Sequence, residues 1–352
     1  MKKIKVGIVG MGAIGKVHAD AYRHAPQAEL TAICEIIKER LHTEGERLQI
    51  KQRFTDYRQM LKSDLDAVSV CVGNALHREI SLAALKAGKH VLLEKPMAMN
   101  AREAAQIVAG GVRARKVVQI GMVNRYRNDV QLAKEYVDKG FLGKIYHIRA
   151  VWIRRRGIPG LGGWFTTKAK SGGGPLIDLG VHWFDAAMYV SGLWKPTLVS
   201  AMNYAKFGAP MKSYRYVDMW AGPPQFTGRF DVEDYSTGLV RFGQQATLLF
   251  DIAWAANTEE RAFVEILGDK GGLRMLGNEL TLFTEHNERV ADIKPKCAAR
   301  QPFHAQANKF IAACRGECPP LATAQQGLTV MRLLDAVYRS AKLGKEVALQ
   351  NG

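Results

Sequence analysis

The sequence predicts a two-domain protein, with an α/β N-terminal domain built on a doubly wound parallel sheet and an α+β C-terminal domain with a large open, mainly antiparallel sheet. The chain has 352 residues, which is enough for about two domains. Strand and helix patterns alternate over the first third, as they do in doubly wound sheets. From about residue 123 the pattern changes to segments of alternating polarity. We therefore expect domains at 1–122 and 123–352.

The first element is a buried strand over residues 3–9, KIKVGIV, which is rich in β-branched and apolar residues. A glycine-rich turn, GMGAIG, follows at once, and residues 16–25 are predicted to form a helix. Residues 29–34 form a second strand, and Glu35 ends it 20 residues after Gly15. A GxGxxG turn between a strand and a helix, with an acidic residue at this distance, predicts a Rossmann dinucleotide-binding unit.

Each part of this unit has a physical task. Gly10 permits the tight turn, Gly12 lets the backbone approach the pyrophosphate, and Gly15 lets helix and strand pack closely. The N-terminus of the helix then faces the phosphates. The predicted cofactor-binding residues here are Gly10, Met11, Gly12, Ala13, Ile14, Gly15 and Glu35.

Glu35 also bears on which dinucleotide binds. A carboxylate at this place accepts hydrogen bonds from the adenosine ribose and repels a 2′-phosphate, so it favours NAD over NADP. Lys38 and Arg40 follow closely and are the alternative, because basic residues there can hold a phosphate. NAD is therefore the expected cofactor, with NADP second.

The alternation continues with strands at 66–72, 90–93 and 117–121 and helices at 77–87 and 100–109. Ligands of such sheets bind beyond the carboxyl ends of the strands. A Glu-Lys-Pro step stands at one of these ends. It restricts the backbone and permits a cis peptide bond, which would aim the lysine side chain at a defined place. The residues predicted to line the cofactor at these ends are Gly73, Asn74, His77, Glu94 and Lys95.

In the second domain, strands are expected at 143–152, 235–242 and 246–253, and helices at 304–315 and 324–342. One face of the sheet is free to support oligomers, so we expect a homodimer or a homotetramer.

Residues 175–190 form the helix of greatest interest. Ile177, Val181, Phe184 and Met188 share an apolar face, and Pro175 suits the first turn. On the adjacent face Asp178 and His182 are four apart and can touch. This polar stripe is either a buried structural tie or half of a reaction site, and Lys95 favours the reaction site. Asp185 fits a structural role and a substrate contact equally.

The composition excludes several classes of protein. Hydrophobic residues make up 47% of the chain, and no apolar run reaches the roughly 18 residues that a membrane span needs. The apolar run at the N-terminus is too short and too rich in glycine for a signal peptide. Five cysteines do not make a disulfide framework in a chain this long, so we expect reduced thiols and a cytoplasmic location.

The net charge is +17, from 50 basic and 33 acidic residues. Such a charge raises the hypothesis of nucleic-acid binding. The basic residues are nevertheless spread over the whole chain, and the one dense cluster, 154–156, leads into a Gly/Pro-rich loop without aromatic stacking residues. We therefore expect no nucleic-acid partner. Solubility or the attraction of an anionic ligand explains the charge.

Motifs over nearly the whole chain form a specific combination. They include GMGAIG at 10–15, GKHVLLEKPMA at 88–98, GMVNRYR at 121–127, SGGGPLIDLGVHWFD at 171–185 and VEDYSTGLVRF at 232–242. This combination resembles the Gfo/Idh/MocA family, that of glucose–fructose oxidoreductase, inositol dehydrogenase and MocA. The stretch 154–178 resembles a bacterial branch that oxidises a secondary alcohol of glucosides, often at C3.

The resemblance implies an NAD-dependent dehydrogenase acting on the CH–OH group of a sugar, glycoside or polyol. It implies catalytic roles for Lys95, Asp178 and His182, and it places Asn74 and His77 beside the nicotinamide. Gly73 departs from the family, many of whose members have proline before the asparagine. The alternatives are an inositol dehydrogenase, a glycosidase that keeps NAD and passes through a 3-keto sugar, and a non-catalytic NAD-binding regulator.

The remaining candidates concern the substrate. The loop 154–170 is expected to shape its pocket, and its arginines are either solvated charges or readers of an acidic sugar. No cluster with metal-ligand spacing is present in the sequence, so no metal is expected. The candidate substrate residues are Arg125, Tyr126, Arg156, Trp164 and Asp185.

Overall fold

The structure is a computed structural model that describes residues 2–217, 219–296, 298 and 300–349. The described chain forms two compact units. The first contains residues 2–126 and 300–328, and the second contains 127–298 and 329–349. The predicted domains, 1–122 and 123–352, differ from these units chiefly in the segment 300–328, which belongs to the first unit.

The bounds of the regular elements are as follows. The strands are β1 Ile4–Val9, β2 Ala28–Cys34, β3 Gln52–Phe54, β4 Ala67–Val70, β5 His90–Leu93, β6 Val118–Ile120, β7 Ile145–Ile153, β8 Leu198–Tyr204, β9 Tyr235–Phe242, β10 Ala246–Ala253, β11 Arg261–Gly268, β12 Gly272–Leu276, β13 Glu279–His286, β14 Arg289–Ile293 and β15 Val347–Ala348. The helices are α1 Ala13–Arg23, α2 Lys38–Leu48, α3 Tyr57–Met60, α4 His77–Lys86, α5 Ala101–Ala114, α6 Asn128–Asp138, α7 Lys168–Ser171, α8 Val181–Ser191, α9 Pro302–Cys314 and α10 Ala324–Leu343.

The first unit is a six-stranded sheet in the order β3-β2-β1-β4-β5-β6, with every neighbouring pair parallel. This is the strand order of a dinucleotide-binding sheet, in which the carboxyl ends of β1 and β4 lie at the reversal of strand order. The apolar strands predicted from sequence are buried here, as parallel strands covered on both faces must be. The predicted doubly wound sheet is confirmed.

The helix α9 completes the first unit although it begins 182 residues after the end of β6. Ala307, Phe310 and Ile311 belong to the same buried cluster as Ile8 and Leu92 of the sheet. Burial of this apolar surface is the physical reason why residues 300–328 join the first unit. The apolar pattern predicts the helix, but it does not show which domain the helix covers.

The second unit is built on a nine-stranded sheet, counted over the described residues, in the order β14-β13-β12-β11-β7-β10-β9-β8-β15. All neighbours are antiparallel except β7 and β10, which are parallel. The predicted open, mainly antiparallel sheet is confirmed, although β12 to β14 extend it past the strands expected from sequence. Helix α8 packs against β7 and β11 on one face.

Two further observations concern the whole described chain. None of its helices is both long and apolar enough to cross a membrane. The described cysteines Cys34, Cys71, Cys314 and Cys318 are free thiols, and Cys297 lies outside the described residues.

Candidate active site

The glycine-rich turn after β1 has the backbone that its sequence predicts. Gly10 has a φ of +92°, a backbone conformation that residues with a side chain rarely adopt. A Cβ on Gly15 would stand 2.0 Å from the carbonyl oxygen of Gly10. Around Gly12, by contrast, no described atom beyond the glycine and its two chain neighbours lies within 4 Å of where a Cβ would be. The turn is therefore tight where the strand meets the helix and open at the N-terminus of α1, which fits a pyrophosphate.

Helix α1 begins at Ala13, three residues earlier than the sequence predicts. Ala13, Ile14 and Gly15 therefore form its first turn, where backbone N–H groups have no partner within the helix. Met11 is fully buried under the turn.

Glu35 is fixed beside this turn at the end of β2. Its Oε2 accepts a hydrogen bond from the backbone N–H of Met11 at 3.0 Å, and its Oε1 accepts one from Ile37 at 3.0 Å. Arg40 pairs with the same carboxylate at 3.3 Å. The structure thus places the carboxylate of Glu35 against the glycine turn. The guanidinium of Arg40 forms an ion pair with this carboxylate.

The turn after β4 contains three predicted residues and connects to the Glu-Lys-Pro step. A Cβ on Gly73 would meet no described atom within 4 Å, and Asn74 begins a short 3₁₀ segment. His77 is fully buried, with Nδ1 2.7 Å from the carbonyl oxygen of Pro96 and Nε2 3.0 Å from that of Val72. Burial lowers the pKa of His77, while the two carbonyl oxygens act in the opposite direction, and the ring lies between these two turns.

The Lys95–Pro96 peptide bond is cis. Lys95 is half-buried, and its backbone N–H donates to Oε2 of Glu94 at 3.2 Å. The other oxygen of Glu94 lies 2.9 Å from Nε2 of His18, a buried residue of α1. The carboxylate of Glu94 therefore contacts α1 through His18. A role of Glu94 in binding the cofactor remains a prediction.

In the second unit the predicted helix 175–190 departs from a regular α-helix. Residues Leu176–Gly180 form a π-helical turn, and α8 follows from Val181. The apolar face is buried as predicted, but the residues around it are buried as well. Asp178 thus lies in a wider turn, a feature frequent at functional sites, and His182 lies in the first turn of α8.

A buried carboxylate holds the start of this helix. One oxygen of Glu233, Oε1, accepts hydrogen bonds from the backbone N–H groups of Gly174 at 3.0 Å and Leu176 at 3.2 Å, and from the hydroxyl of Tyr338 at 2.8 Å. Burial raises the pKa of Glu233, while these donors act in the opposite direction. Glu233 stands in the motif VEDYSTG, but nothing in its sequence context shows that it binds the π-helical turn before α8.

Asp178 and His182 are flanked by tryptophans. The indole N–H of Trp254 donates to Oδ2 of Asp178 at 3.1 Å, and Trp254 is fully buried directly after β10. The ring of Trp152 lies 6.5 Å from that of buried His182, centre to centre. The sequence indicates Asp178 and His182 but not these two tryptophans, because strand ends far apart in the chain bring them here.

The predicted substrate residues have varied surroundings. Arg125 is fully buried and donates to the carbonyl oxygen of Leu321 at 2.6 Å and to Gln326 at 2.8 Å. Arg156 donates to the carbonyl oxygen of Ala256 at 3.2 Å and to Asn257 at 2.7 Å. Their contact with a substrate remains a prediction. The other candidates are Tyr126 and Asp185, both buried, and Trp164, which is exposed.

One group of metal-ligand types comes together in the described part of the chain. One possible ligand atom from each of Asp20, His24 and His304 lies within 4.8 Å of the other two, near the surface. The two imidazole rings are stacked at 4.3 Å and nearly parallel, so their in-plane lone pairs do not converge on one point. The expectation that no metal is required remains a prediction.

Comparison with known families decides what kind of protein carries this arrangement. The profile of an oxidoreductase family with an NAD-binding Rossmann fold, GFO_IDH_MocA, matches residues 4–122, and that of the GFO/IDH/MocA C-terminal domain matches 130–274. The chain belongs to the GFO/IDH/MocA oxidoreductase family. The predicted family and the predicted class, an NAD(P)-dependent dehydrogenase acting on CH–OH groups, are confirmed.

Several members of the GFO/IDH/MocA family resemble this chain. A D-glucoside 3-dehydrogenase of Escherichia coli strain K12 is 33% identical over 351 residues, 98% of this chain and 97% of its own length. A myo-inositol 2-dehydrogenase of Thermotoga maritima is 29% identical, with 54% of this chain and 55% of its own covered. The solved structure of a levoglucosan dehydrogenase in complex with NADH superposes with a TM-score of 0.88 at 22% identity, covering 99% of this chain and 100% of that one. At that identity the likeness shows the fold.

Proposed function

We propose that this family member oxidises a secondary alcohol of a glucoside, at the C3 hydroxyl of the glucosyl ring, with NAD as the oxidant. The observation that carries the proposal is the turn at the start of α8, where Asp178 is held by Trp254 and His182 follows four residues later. The E. coli relative, a D-glucoside 3-dehydrogenase that matches nearly the whole chain, supports the choice of substrate.

Three side chains share the chemistry in this proposal. The imidazole of His182 takes the proton of the reacting hydroxyl, since imidazole titrates near neutral pH. The ammonium of Lys95 donates a hydrogen bond to the same oxygen and stabilises the developing alkoxide. Asp178 orients a neighbouring hydroxyl of the sugar, and the bond from Trp254 fixes the direction of its carboxylate. Bound NAD supplies the hydride acceptor.

The residues of the first unit support NAD over NADP. The glycine turn is open beside Gly12 for the pyrophosphate, and Glu35 stands beside it to accept the ribose hydroxyls. Arg40 is paired with Glu35, so its charge is already balanced and does not favour a 2′-phosphate. We therefore expect Glu35→Ala to lower the preference for NAD over NADP in kcat/KM at least about tenfold. A wild-type preference for NADP would contradict this choice.

The proposal is tested by following NADH absorbance with NAD and a panel of methyl glucoside, myo-inositol and a sugar acid. We expect methyl glucoside to be the best substrate of the panel. Lys95→Met and His182→Asn should each lower kcat by about 100-fold or more, since each removes a group that acts on the reacting oxygen. Lys86→Met, which removes an exposed lysine of α4, is the matched control and should remain close to wild type.

Other outcomes separate the alternatives. Full activity of Lys95→Met and His182→Asn would contradict the roles assigned to these two residues. Faster oxidation of myo-inositol than of methyl glucoside would indicate an inositol dehydrogenase. Release of the aglycone without net NADH would indicate a glycosidase that retains NAD. Cofactor binding without turnover of any substrate would indicate a regulator.

The proposal includes a cytoplasmic location and a homodimer or homotetramer. Buried free thiols at Cys34 and Cys71 suit a reducing compartment. The sheet face opposite α8 is the surface we propose for association of the subunits.

A further inference from the structure

Two loops of the second unit carry aromatic side chains into solvent. The first loop, residues 157–167, contains Trp164, which is 38% exposed, and the second loop, residues 219–231, contains Trp220, which is 59% exposed. Indole rings usually bury most of their surface, so two exposed indoles on hydrogen-bonded loops indicate an interaction surface. No step of the proposed chemistry uses either ring.

These rings belong to one cluster that leads to Asp178. Phe165 is buried and contacts both, with its ring centre 3.8 Å from that of Trp164 and 5.0 Å from that of Trp220. The ring centre of Phe165 also lies 6.3 Å from that of Trp254, whose indole N–H is bonded to Asp178. Two buried rings, Phe165 and Trp254, thus connect the exposed indoles to the Asp178 carboxylate.

The backbones of the two loops are tied together, so their aromatic side chains are held in place. The N–H of Ala221 donates to the carbonyl oxygen of Pro159 at 2.8 Å, and that of Gln225 donates to Leu161 at 2.8 Å. A Cβ on Gly162 would stand 1.9 Å from the carbonyl oxygen of Gln225, so the glycine permits this close approach. A rigid surface loses less conformational entropy when a ligand binds than a mobile one does.

We propose that Trp164 and Trp220 form an aglycone subsite, which binds the flat apolar face of a ring joined to the glucosyl unit whose hydroxyl is oxidised. This rests on the proposed function, in which Asp178 contacts that glucosyl unit. The C–H groups of a pyranose, or the face of an aryl group, pack against indole rings, while the hydroxyls of a sugar stay in water. Both ligands share one chemistry, a ring with an apolar face.

The subsite predicts a substrate preference that the reaction itself does not require. A methyl glucoside fills only the glucosyl position, whereas a phenyl glucoside or a disaccharide of glucose also reaches the exposed indoles. Stacking of one ring contributes enough for about a tenfold difference in kcat/KM. We therefore expect wild-type protein to prefer the two ring-bearing substrates by about this factor.

The test compares kcat and KM of three substrates in wild type, Trp220→Ala, Trp164→Ala and Trp220→Phe. Each alanine variant should lose most of the preference through a higher KM. In Trp220→Ala, kcat/KM for methyl glucoside should stay within about twofold of wild type. Trp220→Phe should retain part of the preference, because an aromatic face remains. Tyr146→Ala removes an exposed aromatic residue of β7, outside both loops, and is the matched control. Melting temperatures show whether each variant is folded.

The outcomes distinguish an aryl aglycone from a second sugar. They also distinguish failure of the subsite from failure of the proposed function. Loss of preference for phenyl glucoside alone assigns an aryl aglycone, and loss for the disaccharide alone assigns a second sugar; either result supports the subsite. Oxidation of methyl glucoside with unchanged selectivity in both alanine variants overturns the subsite and leaves the proposed function intact. If wild type oxidises no glucoside, both are wrong. If Trp220→Ala changes the oligomeric state and no selectivity, the loops are a contact between subunits and the subsite is wrong.

Discussion

Among single residues, His18 is a buried histidine whose protonation depends on its neighbour Glu94. Its Nε2 lies 2.9 Å from Oε1 of Glu94, and its Nδ1 lies 3.2 Å from the hydroxyl of Ser69. Burial alone would lower the pKa of His18, but its interactions with Cys71 and Glu94 outweigh burial and raise the pKa to about 10. An imidazolium at this place donates to both partners and holds the carboxylate next to Lys95.

This pair makes stability depend on pH in a defined direction. The folded state keeps the proton of His18 up to about pH 10, whereas the unfolded chain releases it near 6.5. The stabilisation is therefore complete below about pH 6.5 and is lost as the pH rises toward about 10. Denaturant unfolding from pH 6 to 10 should give wild type a steeper fall in the free energy of unfolding than His18→Gln, by up to about 1.4 kcal/mol per pH unit.

The control for this measurement is His42→Gln, which removes an exposed imidazole of α2. It should follow the wild-type slope. Parallel slopes for wild type and His18→Gln would show that His18 does not carry this proton.

Residues whose task is set by their own backbone can be predicted from sequence. The turn around Gly10 and Gly15 is of this kind, because the left-handed φ and the close approach require glycine wherever the turn forms. The partner of Glu94 cannot be predicted in this way. His18 lies 76 positions away, and only the packing of α1 on the sheet brings its ring to the carboxylate.

At the level of elements, the π-helical turn that precedes α8 is held by Glu233. Replacing Glu233 with alanine leaves the buried N–H groups of Gly174 and Leu176, and the hydroxyl of Tyr338, without this acceptor. We expect Glu233→Ala to lower the free energy of unfolding by about 3 kcal/mol and to lower kcat as well, because this end of the helix carries Asp178 and His182. Glu233→Gln keeps an acceptor oxygen and should lose about 1 kcal/mol.

Urea unfolding and NADH kinetics on the same preparations measure both effects. Glu279→Ala, which removes an exposed carboxylate of β13, is the control and should match wild type. A loss from Glu233→Ala no larger than that of this control would show that the three bonds do not hold the helix.

The same element shows where pattern recognition ends. The apolar spacing of Ile177, Val181 and Phe184 predicts a helix, and all three are buried. It also predicts regular α-helical spacing from Asp178 to His182, whereas the structure has a π-helical turn there. The carboxylate that binds this turn comes from a residue 59 positions from Gly174, so local spacing does not contain the information.

For the whole molecule, the open sheet face is where we expect subunits to meet. Leu249 is 45% exposed on the face of β10 opposite to Phe250, which packs on Phe184 of α8. If wild type forms the proposed dimer or tetramer, Leu249→Arg should give a monomer in light scattering, since a charge would be buried in the contact. Val112→Arg, at an exposed position of α5, should leave the assembly unchanged. A monomeric wild type at micromolar concentration would refute the expectation.

The two-part architecture followed from the change of pattern near residue 123, and the family profiles divide the chain close to the same point. The sequence pattern did not predict that residues 300–328 belong to the first unit. A helical pattern predicts that one apolar face of the helix is buried. It does not predict which part of the protein the face packs against. The cluster of Phe310 and Ile311 with the sheet supplies that information only in three dimensions.

That return has a consequence for how the protein is made. When the ribosome has released residue 126, all strands of the parallel sheet exist, but the helix Pro302–Cys314 that closes its core has not been synthesised. At about 5–20 residues per second, the intervening chain takes roughly 10–35 seconds to appear. During that time the nascent dinucleotide-binding unit exposes apolar surface to chaperones and to other nascent chains. Its folding can be completed only after most of the second unit has been translated.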